Sequence, residues 1–326
     1  MAGVIAVTGA NGFVGRQVGD LAPARQAGLR PLTRRELGDL GGAAIDPRLL
    51  AGCSAIIHTA ARAHRMGEQG VAALAAYRQT NVAGTQALIA AMVQAGVRRL
   101  VFVSSIKTLG ERSRGAPLRP QDACRPEDPY GVSKAEAEAV VLAAQAAGQI
   151  DAVIVRPVLV HGPGVKGNLQ RLLGAIARGR ALPLGAVRNR RSMLGVGNLA
   201  DALLTAAVAG LTTPGRAGRE DGRASGPRSQ VYHLADGVIS TRRLVEVLAE
   251  GLGVQPRLIN LPRWLAVGGA TLLGRGAMAR RLFDDLEVDD SDFRRDFAWQ
   301  PKLGLEAGLR LMAEDFTRRQ RDGIPG

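Results

Sequence analysis

Val4-Ile5-Ala6-Val7-Thr8 runs into Gly9-Ala10-Asn11-Gly12-Phe13-Val14-Gly15, and helix-like sequence follows. The first five residues are apolar and rich in β-branched side chains, the pattern of a buried strand. Gly9 permits a tight turn, Gly12 lets the backbone approach a pyrophosphate, and Gly15 lets the following helix pack close to the strand. The helix N-terminus then presents unpaired N–H groups and the positive end of its dipole to an anion. Gly9, Asn11, Gly12, Phe13, Val14 and Gly15 are therefore the predicted dinucleotide cradle.

Outward from this turn, apolar runs alternate with helical ones through the first half, which predicts βαβ units on a parallel sheet. The fold class is α/β: a Rossmann-type doubly wound parallel sheet with a smaller, mainly helical C-terminal part. Residues 1–161 are the expected dinucleotide domain, with about 190–236 returning to it, and 162–326 the substrate-binding part. Pro23 should kink or shorten the first helix. The second strand is read at Arg30-Pro31-Leu32-Thr33. An acidic residue at its end would hold the 2′-hydroxyl of NAD, whereas arginine suits a 2′-phosphate. Thr33 stands in the acidic position and Arg34 and Arg35 follow, which favours NADP(H). NAD(H) remains the alternative, with Glu36 on the ribose and two ordinary solvated arginines. Gly42-Ala43-Ala44-Ile45 is read as a third strand, with Asp46 placed to accept from the adenine amino group. Ala55 to Ala61 reads as a fourth, and the small Ala60 and Ala61 at its end let a cofactor lie across it. His58 reads as a packing residue, and Asn81 as a partner for buried backbone groups.

Leu100-Val101-Phe102-Val103 leads into Ser104-Ser105. Further on, Pro129-Tyr130-Gly131-Val132-Ser133-Lys134 opens an alanine-rich helix. Tyr130 and Lys134 are four residues apart and so share a helix face. The chain has three tyrosines, and Lys107, Lys134, Lys166 and Lys302 are its lysines. A phenol near pKa ~10 is a poor base at neutral pH without a nearby cation. Lys134 can supply that charge, Ser105 can hydrogen-bond a substrate oxygen, and Tyr130 can pass the proton.

Composition narrows the field. The 326 residues, 46% hydrophobic and 22% charged, suit a globular protein with a sizeable core. No apolar run is long enough for an integral membrane span, and the N-terminus lacks the pattern of a signal peptide. Cys53 and Cys124 are expected to be free thiols of a cytoplasmic protein. The net charge of +14 comes with only 3% aromatic residues and no basic run interleaved with aromatics, so no nucleic-acid partner is expected. Four histidines and two cysteines, scattered, predict no metal site.

Together these motifs resemble the extended short-chain dehydrogenase/reductase family, in its NAD-dependent epimerase/dehydratase branch. The resemblance rests on Thr8 to Gly15, Ser104-Ser105, Tyr130 to Lys134, Arg156-Pro157 and Phe297-Ala298-Trp299-Gln300-Pro301. The last is similar to the family's Gly-Trp-x-Pro signature with Ala298 in place of glycine. Ser104-Ser105-Ile106-Lys107, Asp128 to Lys134 and Asn189-Arg190-Arg191-Ser192 look like the subgroup of UDP-glucose 4-epimerase-like proteins and 4-keto-sugar reductases of surface-polysaccharide synthesis. The resemblance implies a catalytic trio of Ser105, Tyr130 and Lys134, with Lys134 also holding the nicotinamide ribose and Pro157 and Val158 against the nicotinamide. It implies nucleotide-sugar contacts at Asn168, Leu169 and Arg191, and second-rank candidates at Ser104, Lys107 and His161. The stretch with which many epimerases grip the nucleotide is replaced here by Leu286-Glu287-Val288-Asp289.

The expected activity is reduction at C4 of a UDP-sugar, favoured as a 4-keto-6-deoxy-sugar reductase, with UDP-sugar 4-epimerisation as the alternative. A non-catalytic NADP-binding regulator is the contrasting class, and a reductase of a non-sugar ketone a third. The oligomeric state stays open, a homodimer being one option. Residues 212–229, rich in Gly, Pro, Ser and Arg, read as a mobile surface loop. Residues 261–283 carry apolar side chains interspersed with arginines. They read as a helix covering the substrate pocket, or else as a basic segment resting on a membrane surface.

Overall fold

The computed structural model describes residues 3–63, 70–209, 230–272 and 282–323. The expected loop at 212–229 lies outside the described residues, as do Arg275, Arg280 and Arg281.

Six parallel strands form the main sheet: β1 (Val4–Thr8), β2 (Gly28–Leu32), β3 (Cys53–His58), β4 (Arg99–Val103), β5 (Asp151–Pro157) and β8 (Val231–Leu234), in the order β2-β1-β3-β4-β5-β8. A parallel sheet is covered on both faces, so its strands are apolar without alternation. Successive residues then serve opposite cores. Ile5, Val7, Ala55, Ile57, Val101, Val153 and Val155 face one layer, which includes α1 (Phe13–Leu21) and α7 (Val196–Val208). Ala6, Ile56, Leu100, Phe102 and Ile154 face the other, with α4 (Gly84–Ala95) and α5 (Pro129–Ala146).

The third strand expected at residues 42–45 does not form. That stretch is irregular, and β1 pairs directly with β3. Gly42, Ala43 and Ala44 have no β-branched side chains to favour a pleated edge. α1 ends at Leu21, and Pro23 opens a short 3-10 turn to Arg25, so the proline shortens the helix rather than bending it. A second sheet of three short strands, β6 (Leu159–His161), β7 (Arg191–Gly195) and β9 (Gly237–Ile239), stands apart from the first. α6 (Asn168–Ala177), α8 (Thr241–Leu252) and the C-terminal α11 (Leu305–Arg321) enclose a third core around Leu173, Val245, Leu248 and Met312. α2 (Arg34–Leu37), α3 (Gly70–Tyr77), α9 (Arg263–Leu272) and α10 (Ser291–Asp296) complete the helices used below.

Ala298 has φ +47°, in the left-handed region where the resemblance expects glycine. That turn delivers Trp299 into the first core, where its indole N–H donates to Asp201 Oδ2 at 2.9 Å.

Candidate active site

Chain direction leaves β1 toward β2 on one side and toward β3 on the other, so a crevice opens at the C-terminal ends of β1 and β3, where doubly wound folds bind ligands. The glycine turn lies there. Gly9 has φ +69°, and a Cβ on it would sit 2.8 Å from the backbone of Ala60. Gly12 caps α1 and donates its N–H to the Gly9 carbonyl at 2.8 Å. A methyl group on Gly15 would overlap the Gly9 carbonyl oxygen. The first turn of α1 carries no acidic residue to occupy its N–H groups. The residues present therefore fit a dinucleotide pyrophosphate, with side chains absent where the backbone must come close. Gly15→Ala is expected to force the turn apart. Dinucleotide affinity should fall at least about tenfold and stability by about 1–3 kcal/mol, the cost of overpacking, as read by NADPH titration and denaturant unfolding.

His58 at the end of β3 braces this turn: Nδ1 lies 2.6 Å from Thr8 Oγ1, and Nε2 lies 3.3 Å from Thr85 Oγ1. Thr8 Oγ1 also accepts from the N–H of Ala60 at 3.2 Å. The packing role read for His58 is therefore met by a buried polar chain that joins the turn to Ala60 and Ala61.

At the end of β2, Thr33 caps α2 and Glu36 turns back to accept its N–H at 2.8 Å and its hydroxyl. The Thr33 hydroxyl and amide hold the Glu36 carboxyl below the usual carboxylate range. Arg34 is largely exposed beside Asp39, and Arg35 is exposed. Asp46 caps the short turn that follows it and accepts from Arg48. It borders a cavity of about 480 Å³ together with Gly42, Ala44, Ala87 and Gln94.

Ser105 follows β4, and Tyr130 and Lys134 lie on the first turns of α5. Gly131 makes the meeting possible: a Cβ there would lie 2.6 Å from the Lys107 carbonyl oxygen, so the helix start can press onto the turn that carries Ser105. Asp128 caps the helix by accepting from the Gly131 N–H at 2.7 Å. Tyr130 is hydrogen-bonded to Ser105, which favours the phenolate, but burial outweighs this and pushes the phenol up to about 12. The Lys134 ammonium donates to the Val103 carbonyl at 2.6 Å and lies 4.1 Å from the Phe102 ring centroid. Burial pulls its pKa down to about 7, opposed by Glu138. The cation expected to tune Tyr130 is thus bonded to β4, while the phenol is hydrogen-bonded to Ser105.

Several supporting residues went unread in the sequence. Glu138 lies one turn beyond Lys134 and is buried. It accepts from Arg156 Nε at 2.9 Å and Nη2 at 2.6 Å, and from the Ser104 hydroxyl. The signal was present: Tyr130, Lys134 and Glu138 repeat every four residues on one helix face. Ser104 thereby anchors β4 to α5. Asn81 lies in a π-helical segment, residues 78–83, a geometry frequent at functional sites. Its Oδ1 accepts from the Arg62 N–H at 2.8 Å, the backbone role read for it, and its Nδ2 donates to Ser133 Oγ at 2.9 Å. Ser133 donates in turn to the Tyr130 carbonyl at 2.8 Å, so the loop after Ala61 is tied to the start of α5.

Pro157 and Val158 are buried at the end of β5. Asn168 is exposed at the start of α6, and Arg191 opens β7, donating to the Asp284 carbonyl at 3.1 Å. The Leu169 side chain is buried in the third core, where helix periodicity turns it inward. Lys107 pairs with Glu111 at 2.9 Å and with the capping Asp128. Leu286 and Val288 are buried, and Glu287 pairs with Arg190, so the replaced nucleotide-gripping stretch serves the packing between residues 113–118 and β7. His161 is buried 3.8 Å from Asp236, beside a cavity of about 290 Å³ on elements that carry none of the trio.

Three buried histidines set a pH response. Burial lowers His58 to about 3 and His161 and His233 to about 4, while burial raises Asp236 to about 6. Below pH 6.5 the unfolded chain protonates these histidines and the folded one does not, so stability falls as pH drops from 6.5 toward 4. Asp236 takes up a proton on folding between 3.8 and 6 and offsets one of them. Each net proton is worth about 1.4 kcal/mol per pH unit. Denaturant midpoints collected across pH 4–7 should show this slope, and a flat profile would refute it.

Among the described residues no group of three or more His, Cys, Asp or Glu is placed to hold a metal, Cys53 and Cys124 are free thiols, and no helix is long and apolar enough to cross a membrane.

A doubly wound parallel sheet, a glycine turn at its switch point and a Ser–Tyr–Lys group beside it define a nicotinamide-dinucleotide enzyme. The chain belongs to the NAD dependent epimerase/dehydratase family, whose pattern matches residues 5–215. It is 33% identical over 286 residues to a UDP-glucose 4-epimerase of Vibrio cholerae, covering 87% of this chain and 83% of the relative. It is 29% identical over 343 residues to a 4-hydroxy-2-methyl-3-oxo-4-farnesyl-3,4-dihydroquinoline-1-oxide ketoreductase of Stigmatella aurantiaca, covering 94% and 95%. Among solved structures it resembles MoeE5 in complex with UDP-glucose and NAD, with a TM-score of 0.72, 26% identity, and 98% and 100% of the two chains covered. As a member of that family it is an NAD(P)-binding enzyme.

Proposed function

We propose that the protein is a cytoplasmic NADPH-dependent reductase acting on C4 of a UDP-linked 4-keto-6-deoxy sugar that supplies surface-polysaccharide synthesis. The observation that carries this reading is the end of β2. Glu36 is folded back onto Thr33, while Arg34, beside Asp39, and Arg35 stand exposed, which favours a 2′-phosphate over a bare ribose 2′-hydroxyl. A phenol held protonated also suits the reducing direction, in which Tyr130 gives up its proton.

Residues 1–161, with about 190–236, hold the dinucleotide, and 162–326 hold the sugar nucleotide. Gly9, Asn11, Gly12, Phe13, Val14 and Gly15 would cradle the pyrophosphate, Asp46 would accept from the adenine, and Ala60, Ala61, Pro157 and Val158 would line the path to the nicotinamide. When bound, the nicotinamide supplies the hydride, and that chemistry is the cofactor's own. The Ser105 hydroxyl donates to the keto oxygen and fixes the carbonyl. The Tyr130 O–H passes its proton to that oxygen as negative charge develops. Lys134 would hold the nicotinamide ribose, and its charge would ease loss of the phenolic proton. Asn168 and Arg191 hold the ribose-diphosphate part, the guanidinium fork pairing with phosphate oxygens.

A 4-epimerase is the second reading, favoured by the Vibrio cholerae relative. Unfolding the purified protein and identifying the released nucleotide separates the two. An empty site that takes up NADPH and consumes it with a UDP-4-keto-6-deoxy sugar supports the reductase. Tightly held NAD, with UDP-hexose epimerised and no NADPH consumed, overturns it.

A further inference from the structure

α9 and the strand-like segment before it carry apolar side chains that the fold does not use. Trp264 is 73% exposed, Ile259 51% and Leu265 42%. Trp264 and Leu265 are neighbours in the first turn of α9, and both side chains are exposed. Leaving a tryptophan in water costs free energy that burial would recover, and Trp is a residue of membrane interfaces, where one end of the ring is apolar and the other wet.

The surroundings of these side chains are basic. Ile259 is held through its carbonyl, which accepts from Gly185 N–H at 3.0 Å. The Gly185 carbonyl in turn receives Arg188 at 3.0 Å and Arg242 at 3.1 Å. Arg257 is exposed two residues before Ile259, and Arg263, beside Trp264, is exposed and pairs with Asp284 at 2.6 Å. None of residues 251–272 is acidic. Asp284 is engaged by Arg263, and Glu246 by Arg242.

We infer that Ile259, Trp264 and Leu265, rimmed by Arg188, Arg257 and Arg263, form a peripheral docking surface for an anionic lipid bilayer. Apolar side chains enter the acyl boundary while arginines meet lipid phosphates, the division of labour of interfacial helices. A second copy of the chain fits less well, since a twofold contact would oppose the same arginine rim to itself. The charge of the whole protein, +14, favours the same partner at longer range. The surface reaches the candidate substrate side through Asp284, whose carboxylate holds Arg263 and whose carbonyl holds Arg191. The inference stands independently of which sugar is reduced or epimerised.

The two tryptophans make it measurable, because Trp299 is 3% exposed and contributes a constant buried signal. Intact protein is mixed with vesicles of phosphatidylcholine alone or with about a third phosphatidylglycerol, and fluorescence and co-sedimentation are recorded. Anionic vesicles should shift the emission to the blue and sediment the protein. Each arginine adds about fivefold to partitioning, so Arg188→Gln with Arg257→Gln should lower it about 25-fold. Trp264→Ser should abolish the shift and weaken sedimentation about tenfold, with an unchanged melting temperature because the ring is exposed. Equal sedimentation of wild type and Trp264→Ser would mark adsorption through net charge alone and overturn the inference. No binding to anionic vesicles, or a blue shift that follows protein concentration without vesicles, would also overturn it, the latter in favour of self-association.

Discussion

Tyr130→Phe is expected to lower kcat by about 10²–10⁴, the usual contribution of a positioned general acid, while KM and dinucleotide affinity stay within about twofold. The phenyl ring keeps its edge contact with Tyr77, whose centroid lies 6.0 Å away, so packing survives. What disappears is the proton and the hydrogen bond to Ser105. Steady-state kinetics with a soluble keto-sugar nucleotide, together with NADPH titration, separate the two effects. A variant that retains activity within tenfold would remove the phenol from the mechanism, and a variant that lost NADPH binding would assign Tyr130 to the cradle instead.

Glu138→Ala should be the most damaging single substitution for stability. Its carboxylate and the Arg156 guanidinium are almost fully buried, with side chains 3% and 5% exposed, and they meet at 2.6 Å and 2.9 Å. Arg156 would keep the Pro120 carbonyl at 2.9 Å but lose its counter-charge. Removing one partner of a buried pair costs about 3–5 kcal/mol, because the other charge is left uncompensated. Replacing both partners, as in Glu138→Met with Arg156→Met, should recover most of that loss. Urea unfolding of the single and double variants tests the claim, and a loss under 1 kcal/mol for Glu138→Ala would contradict it. Activity should fall with stability, since Glu138 also holds Ser104 and sets the charge beside Lys134.

Local signals were read where local physics decides the outcome. The glycine turn after β1 and the helix opened by Pro129 depend on residues close in the chain, and both form as expected. Pro23 ends α1 for the same reason. One strand was misread. Residues 42–45 are small and apolar enough for a strand, yet whether an edge strand forms depends on the neighbour offered to it, and β1 spends its free side on β3.

The amino-acid sequence by itself determined the class of fold, since it is written in the spacing of glycines and in runs of apolar side chains. Only the tertiary structure decided which charges are spent. Glu36 on Thr33, Lys107 on Asp128, Glu138 on Arg156 and Lys134 on Val103 are chosen by three-dimensional proximity. A side chain's chemistry is fixed by its type, but its free capacity to bind or transfer a proton depends on burial and on partners brought from distant parts of the chain.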